Sequence, residues 1–275
     1  MPKDSLDDTP YARDLGVRLL AAREGTARLA MPYDERNTAV RSMHGGAIAS
    51  LAALAARAAL PEASAVSTVS LHVLYARGAR GRSFTADARL IRTARELGFV
   101  ETHITDQDGE VIATASATLA GGRDGREHAP AEPPLAGDPG VFNTYLDMIP
   151  FLARRGLRVT GVDRGRIDIA MPPTEVNLDR DGTIHEGAAL TLIDGAGANC
   201  PWTLAPISAD SWGSTVALHA QLLGPLPADG LVARTRIRAS DERMYWCDVS
   251  VLGATDRRLY AFGTVVFRLT ADRGS

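Results

Sequence analysis

Residues Ile184-His-Glu-Gly-Ala-Ala-Leu-Thr-Leu-Ile-Asp194 set one carboxylate, Asp194, among Leu190, Leu192, Ile193 and Ala196, and the run continues through Gly-Ala-Gly-Ala198. A helix apolar on nearly every side is a buried one, where an ionised carboxylate is costly unless it is used or paired. Residues 43–55, starting Met43-His-Gly-Gly46, repeat the frame of a histidine, a glycine and an Ala/Leu-rich run. The ninth residue past the histidine is Asp194 in one copy and Ala53 in the other, so the copies share a frame but not an acid. A buried carboxylate of this kind can serve as a base or a nucleophile. Free N–H groups at a helix start can stabilise an oxyanion, and Gly45 and Gly46 leave the approach to them open. In the second copy Glu186 replaces the first glycine, and its charge would oppose an anion at that place.

The elements that must position these groups are legible around them. In the first copy Tyr11–Leu15 suggests a short helical turn, 17–22 and 26–31 extended segments, and 44–60 the Ala-rich helix. Strands are expected at 66–75, 83–93, 98–105 and 111–119, separated by turn-forming or charged residues. Residues 120–140 gather Gly, Pro, Asp, Glu and Arg with few large apolar side chains, which predicts a solvated linker. The order then recurs: a helix over 142–154, strands at 157–162 and 167–171, the His185 helix, and strands at 214–223, 231–239, 244–252 and 259–269. Ala30-Met-Pro32 returns as Ala170-Met-Pro172, Asn37 as Asn177, and Ser67-Thr-Val69 as Ser214-Thr-Val216. Matches in one order point to a tandem duplication, with domains at 1–119 and 141–275 joined by the 120–140 linker. Hairpin-like connections imply antiparallel sheets of the α+β class, each wrapped round its apolar helix.

Composition narrows the function classes. The formal charge is −3 and the arginines are scattered, which argues against a nucleic-acid surface and for a small-molecule partner. Two cysteines, Cys200 and Cys247, make no disulfide framework and lack metal-ligand spacing, so no metal is expected. A polar amino terminus and the lack of any membrane-length apolar run lead us to expect a cytoplasmic protein with no membrane partner.

Met43-His-Gly-Gly46 with its Ala/Leu helix, Ile184-His-Glu-Gly187 with Asp194, and the Ser-Thr-Val strands resemble the hotdog-fold acyl-CoA thioesterases, specifically the phenylacetate-pathway type, over residues 11–119 and 142–270. The resemblance implies two tandem hotdog domains that mimic a hotdog dimer. It also implies an acyl-CoA substrate, no cofactor beyond the coenzyme A of that substrate, and sites between the halves. One site then joins His44, Gly45 and Gly46 to Asp194, and the other joins His185, Glu186 and Gly187 to Ala53. Asp194 is implied as base or nucleophile, with Ser214 or Thr215 as its hydroxyl donor, His44 in a supporting role and Asn37 as a carbonyl-binding amide. Arg77, Arg80 and Arg82, the densest basic cluster, are candidates for the coenzyme A phosphates, against the commoner reading of a solvated charged turn. Bland readings stand beside the others. Asp194 can be a hydrogen-bonded structural acid, the glycines a tight turn, His44 and His185 loop anchors, and Trp202, Trp212, Tyr245 and Trp246 core rather than acyl-pocket lining. The rival functions are a non-catalytic acyl-thioester binder and a hotdog hydratase or dehydratase. Duplication leaves open whether tandem chains associate further.

Overall fold

The computed structural model describes residues 6–40, 42–61, 66–123, 125, 127–128, 133, 135–205 and 212–270. Its helices are α1 (Pro10–Leu15), α2 (Gly45–Ala58), α3 (Gly140–Asp147), α4 (Pro150–Arg154) and α5 (Glu186–Asn199). The first-half strands are β1 (Arg18–Arg23), β2 (Thr26–Pro32), β3 (Val66–Tyr75), β4 (Ser83–Ala94), β5 (Leu97–Asp106) and β6 (Val111–Gly121). After the short β7 (Glu127–His128) come β8 (Arg158–Asp163), β9 (Arg166–Met171), β10 (Trp212–Leu222), β11 (Leu231–Ser240), β12 (Met244–Gly253) and β13 (Arg258–Thr270).

All pairings are antiparallel, in the order β1-β2-β4-β5-β6-β3-β10-β13-β12-β11-β9-β8. The two halves join at β3 and β10, where His72 sits opposite His219. Leu71 and Val73 on β3, and Leu218 and Ala220 on β10, turn into the core while His72 and His219 point outward, the period-two alternation of a sheet covered on one face. Helices α2 and α5, nearly wholly buried, fill that covered face. They run antiparallel: a Cβ at Gly45 would meet Asp194, one at Gly46 would meet Thr191, and one at Gly187 would meet Ser50. Two hotdog units share one sheet and one helix pair.

Three expectations change. The helix predicted over 142–154 is two, because Pro150 has no N–H to donate and biases Ile149 to extended backbone (φ −98°, ψ 101°). The segment 120–140 is more than a solvated linker. Strand β6 runs on to Gly121, β7 pairs with Arg258 and Leu259 of β13, and Gly137 bridges Val162, since backbone pairing needs no apolar side chains. Trp212 is 40 % exposed, whereas Trp202 is buried against Phe267 and Tyr145. Cys200 and Cys247 are free and buried. Among the described residues no helix is long and apolar enough to cross a membrane.

Candidate active site

The first helix start is built by its own loop. Backbone N–H groups of Met43 and His44 donate to the Ala79 and Asn37 carbonyls (2.9 and 3.0 Å), fixing the approach to α2. His44 then takes extended backbone (φ −65°, ψ 140°) as the N-cap, and its Nδ1 accepts from the Gly46 N–H at 3.0 Å, the role a Ser or Asp side chain plays at most helix starts. The Gly45 N–H has no acceptor among the described residues.

Asp194 reaches this turn from α5. Its Oδ2 lies 3.2 Å from His44 Nδ1 and its Oδ1 accepts from the Thr215 hydroxyl at 2.8 Å. A Cβ on Gly45 would stand 2.7 Å from Oδ2, so only glycine lets the carboxylate come this close to the helix start. Gly46 is needed for a different reason: a Cβ there would stand 2.7 Å from the Thr191 Cα, where α2 crosses α5. The site is buried, with Asp194 1 % and His44 5 % exposed. Burial holds the His44 imidazole below its usual range, against the pull of Asp194 and with a further push from Arg155.

Thr215, and not Ser214, carries the donor. A bulge in β10 between Thr215 and Ala217 resets the alternation, so Thr215 faces the helix with Leu218 while Ser214 is exposed. The hydroxyl of Tyr75, at the end of β3, donates to the Gly45 carbonyl at 3.0 Å. Burial, and then the nearby Asp194, push this phenol well above its usual range, which keeps it a donor. Sequence reasoning missed Tyr75, though its counterpart in the second copy, Leu222, marks a difference between the copies as Asp194 and Ala53 do.

The second helix start repeats the cap without a carboxylate at the place of Asp194. His185 Nδ1 accepts from the Gly187 N–H at 2.9 Å. With alanine at 53, the Glu186 side chain turns into the protein, where its carboxylate meets Arg57 Nη1 at 3.2 Å and accepts from the Thr68 N–H at 3.1 Å. Burial opposes its charge, but Arg57, His185 and the Thr68 N–H outweigh that and hold the carboxyl below its usual range.

Residues 33–120, which carry the capped turn and α2, match the family of the acyl-CoA thioesterase N-terminal domain. Over nearly its whole length the chain is similar to a hot dog-fold protein of unknown function from Alicyclobacillus acidocaldarius (18 % identity, 97 % of this chain and 98 % of that one, TM-score 0.71). The chain is a double hotdog. It is also similar to an acyl-CoA thioesterase II from Mycobacterium marinum (14 % identity, 94 % of this chain and 96 % of that one, TM-score 0.69). At these identities the likeness is one of fold. No curated protein matches the sequence.

The double hotdog brings together Asp194, His44, Gly45, Gly46 and Thr215, and leaves other candidates apart. Asn37 is fully buried, but its side-chain amide donates to the Leu15 carbonyl at 3.4 Å and its backbone carbonyl receives the His44 N–H, so it shapes the loop. Arg77, Arg80 and Arg82 are exposed, with Arg77 paired to Glu110 at 2.7 Å; their loop holds Ala79, the acceptor of the Met43 N–H beside the cap. A trough of about 530 Å³ lined by Arg166, Arg234, Arg236 and Arg238 lies on the outer face of the second half's sheet, opposite α5. A thioester held there faces away from Asp194.

Proposed function

We propose that the chain is an acyl-CoA thioesterase with one working site, formed by Asp194 of the second half and the His44–Gly45 turn of the first. The observation that carries this reading is the convergence of an aimed carboxylate and an unpartnered helix N–H at one glycine. The thioester carbonyl oxygen takes the Gly45 N–H, where the negative charge of the tetrahedral intermediate develops. As base, Asp194 accepts a proton from water while the water oxygen bonds to the carbonyl carbon. The C–S bond then breaks, and the thiolate leaves and takes up a proton. As nucleophile, Asp194 bonds to that carbon itself, and water later cleaves the mixed anhydride. The Gly46 N–H, already given to the His44 cap, holds the turn in place. Arg77, Arg80 and Arg82, on the loop beside the cap, are suited to the coenzyme A phosphates.

Glu186 is bound to Arg57 in the second site, where Ala53 supplies no acid, so one acyl thioester turns over per chain. Thiol release from a panel of acyl-CoA esters tests the reading. Asp194→Asn is expected to lower kcat by about 100-fold or more. Thiol release equal to wild type in that variant, or no release from any ester by wild type, ends the proposal. The 3.2 Å approach of His44 to Asp194 also suits a hydratase. Loss of enoyl absorbance without free thiol would identify that activity instead.

A further inference from the structure

A row of five side chains crosses the middle of the molecule, and beyond His44 at one end the chemistry above does not use it. The His44 ring lies against Phe151, with centroids 5.0 Å apart. Cζ of Arg155 lies 4.2 Å from the Phe151 centroid and 4.6 Å from that of Tyr11. Tyr11 in turn stacks on His185 at 4.7 Å with the rings 10° from parallel. The two capping histidines, one from each half, are therefore joined through ring, guanidinium and ring. Tyr11 and Phe151 follow equivalent prolines, Pro10 and Pro150, in the two copies, whereas the counterpart of Arg155 is Leu15. Arg155 is a feature of one copy set at the junction of both.

Arg155 is 0 % exposed. Nη1 donates to Asp14 Oδ2 at 2.9 Å and to the Val176 carbonyl at 3.3 Å, while Nε and Nη2 have no acceptor among the described residues. Asp14 is shared with Arg154, so the carboxylate leaves Arg155 incompletely neutralised. Burying a cation is costly, the two aromatic faces offset part of that cost, and here two imidazoles sit one ring away from it.

We propose that Arg155 is a positioning residue for the candidate site, clamped between Phe151 and Tyr11 so that it fixes the stack and sets one positive charge a ring away from each capping imidazole. This goes beyond the thioesterase reading and rests on it only for its effect on turnover. An uncharged His44 keeps a lone pair on Nδ1 for the Gly46 N–H and leaves Asp194 free to act. Once protonated, the same nitrogen donates to Asp194 Oδ2, 3.2 Å away, which releases the cap and ties up the carboxylate. The charged or titratable groups around His44 are Asp194 on α5, Arg155 after α4, Tyr75 on β3 through the Gly45 carbonyl, and Asp14 on α1 behind Arg155. Around His185, Asp179 and Glu186 favour the charged ring; burial first, then Arg57 and Arg155, oppose it and hold it at about 4.

The test is an NMR titration of the histidine ring signals, with His44→Gln and His185→Gln assigning the peaks. Arg155→Met should move both titrations up by a few tenths of a pH unit to about one, the effect of removing a unit charge one ring away in a medium of protein-like dielectric. Arg155→Lys keeps the charge and should leave them near wild type. Asp14→Asn removes the compensating carboxylate and should move them down, so the proposal survives a misfolded Arg155→Met only through that opposite shift. Titrations unchanged in both Arg155→Met and Asp14→Asn overturn the proposal, as does an acid limb of kcat/KM that stays put while His44 moves. Titrations that move in a chain hydrolysing no thioester uphold the charge assignment and sink the thioesterase reading alone.

Discussion

Gly45→Ala is the substitution whose outcome the geometry constrains most tightly. The new methyl would stand 2.7 Å from Asp194 Oδ2 and 3.1 Å from Oδ1, where ordinary contact needs about 3.4 Å. The backbone accepts alanine without strain, so the carboxylate must retreat by roughly 0.7 Å. It is not free to do so, because the Thr215 hydroxyl holds Oδ1 at 2.8 Å and His44 stands at Oδ2. Weakening a hydrogen bond to a charged group costs about 1.5–3 kcal/mol, and alanine in place of glycine in a helix returns up to about 1 kcal/mol. The expected net loss is about 1 kcal/mol in stability, with kcat lower by about 10- to 100-fold because the reacting group is displaced. In an Asp194→Ala background the clash is gone, and the same Gly45→Ala should stabilise by about 0.5–1 kcal/mol. Urea unfolding of the four proteins closes the cycle, and the coupling should be about 2 kcal/mol. Additive stabilities, or a Gly45→Ala enzyme with wild-type turnover, would refute the placement of Asp194 against this turn.

Thr215→Val should lower kcat by about 10-fold, Thr215→Ser should keep most of the activity, and Ser214→Ala should change nothing, all read by thiol release. Arg57→Met strands the buried Glu186 carboxylate and should cost about 3 kcal/mol in urea unfolding while sparing turnover in the folded fraction. Acid should destabilise the chain early. His185 is held at about 4 when folded against about 6.5 unfolded, so its contribution is full above pH 7 and is lost as pH falls from about 6.5 to 4, an effect of about 3 kcal/mol. Glu186, held low by Arg57 once folded, adds a loss of the same sign below its ordinary range. Unfolding midpoints measured between pH 7.5 and 4.5 check this, and a midpoint that rises on acidification would contradict it.

Strand and helix positions were readable in the sequence because each element buries one face and so writes its period into the residue order. The duplication was readable for the same reason, and comparison of the copies exposed Asp194 against Ala53 and Gly45 against Glu186. What a linear pattern does not carry is the direction of a side chain after a bulge, which is why Thr215 and Ser214 were equal candidates until the sheet was in view. Nor does it show competition for one donor: the Gly46 N–H belongs to the His44 cap, leaving the Gly45 N–H for a ligand. Tyr75, Phe151 and Arg155 come from elements distant in the chain: β3 carries the Tyr75 hydroxyl to the Gly45 carbonyl, the Phe151 N–H donates to the Thr38 carbonyl in the loop before His44, and Arg155 lies one ring behind. The sequence by itself determined two copies of one fold, only one of which carries an acid nine places past its histidine. Tertiary structure decided which groups meet that acid, because contacts between elements depend on crossing and register that each element's own pattern leaves unspecified.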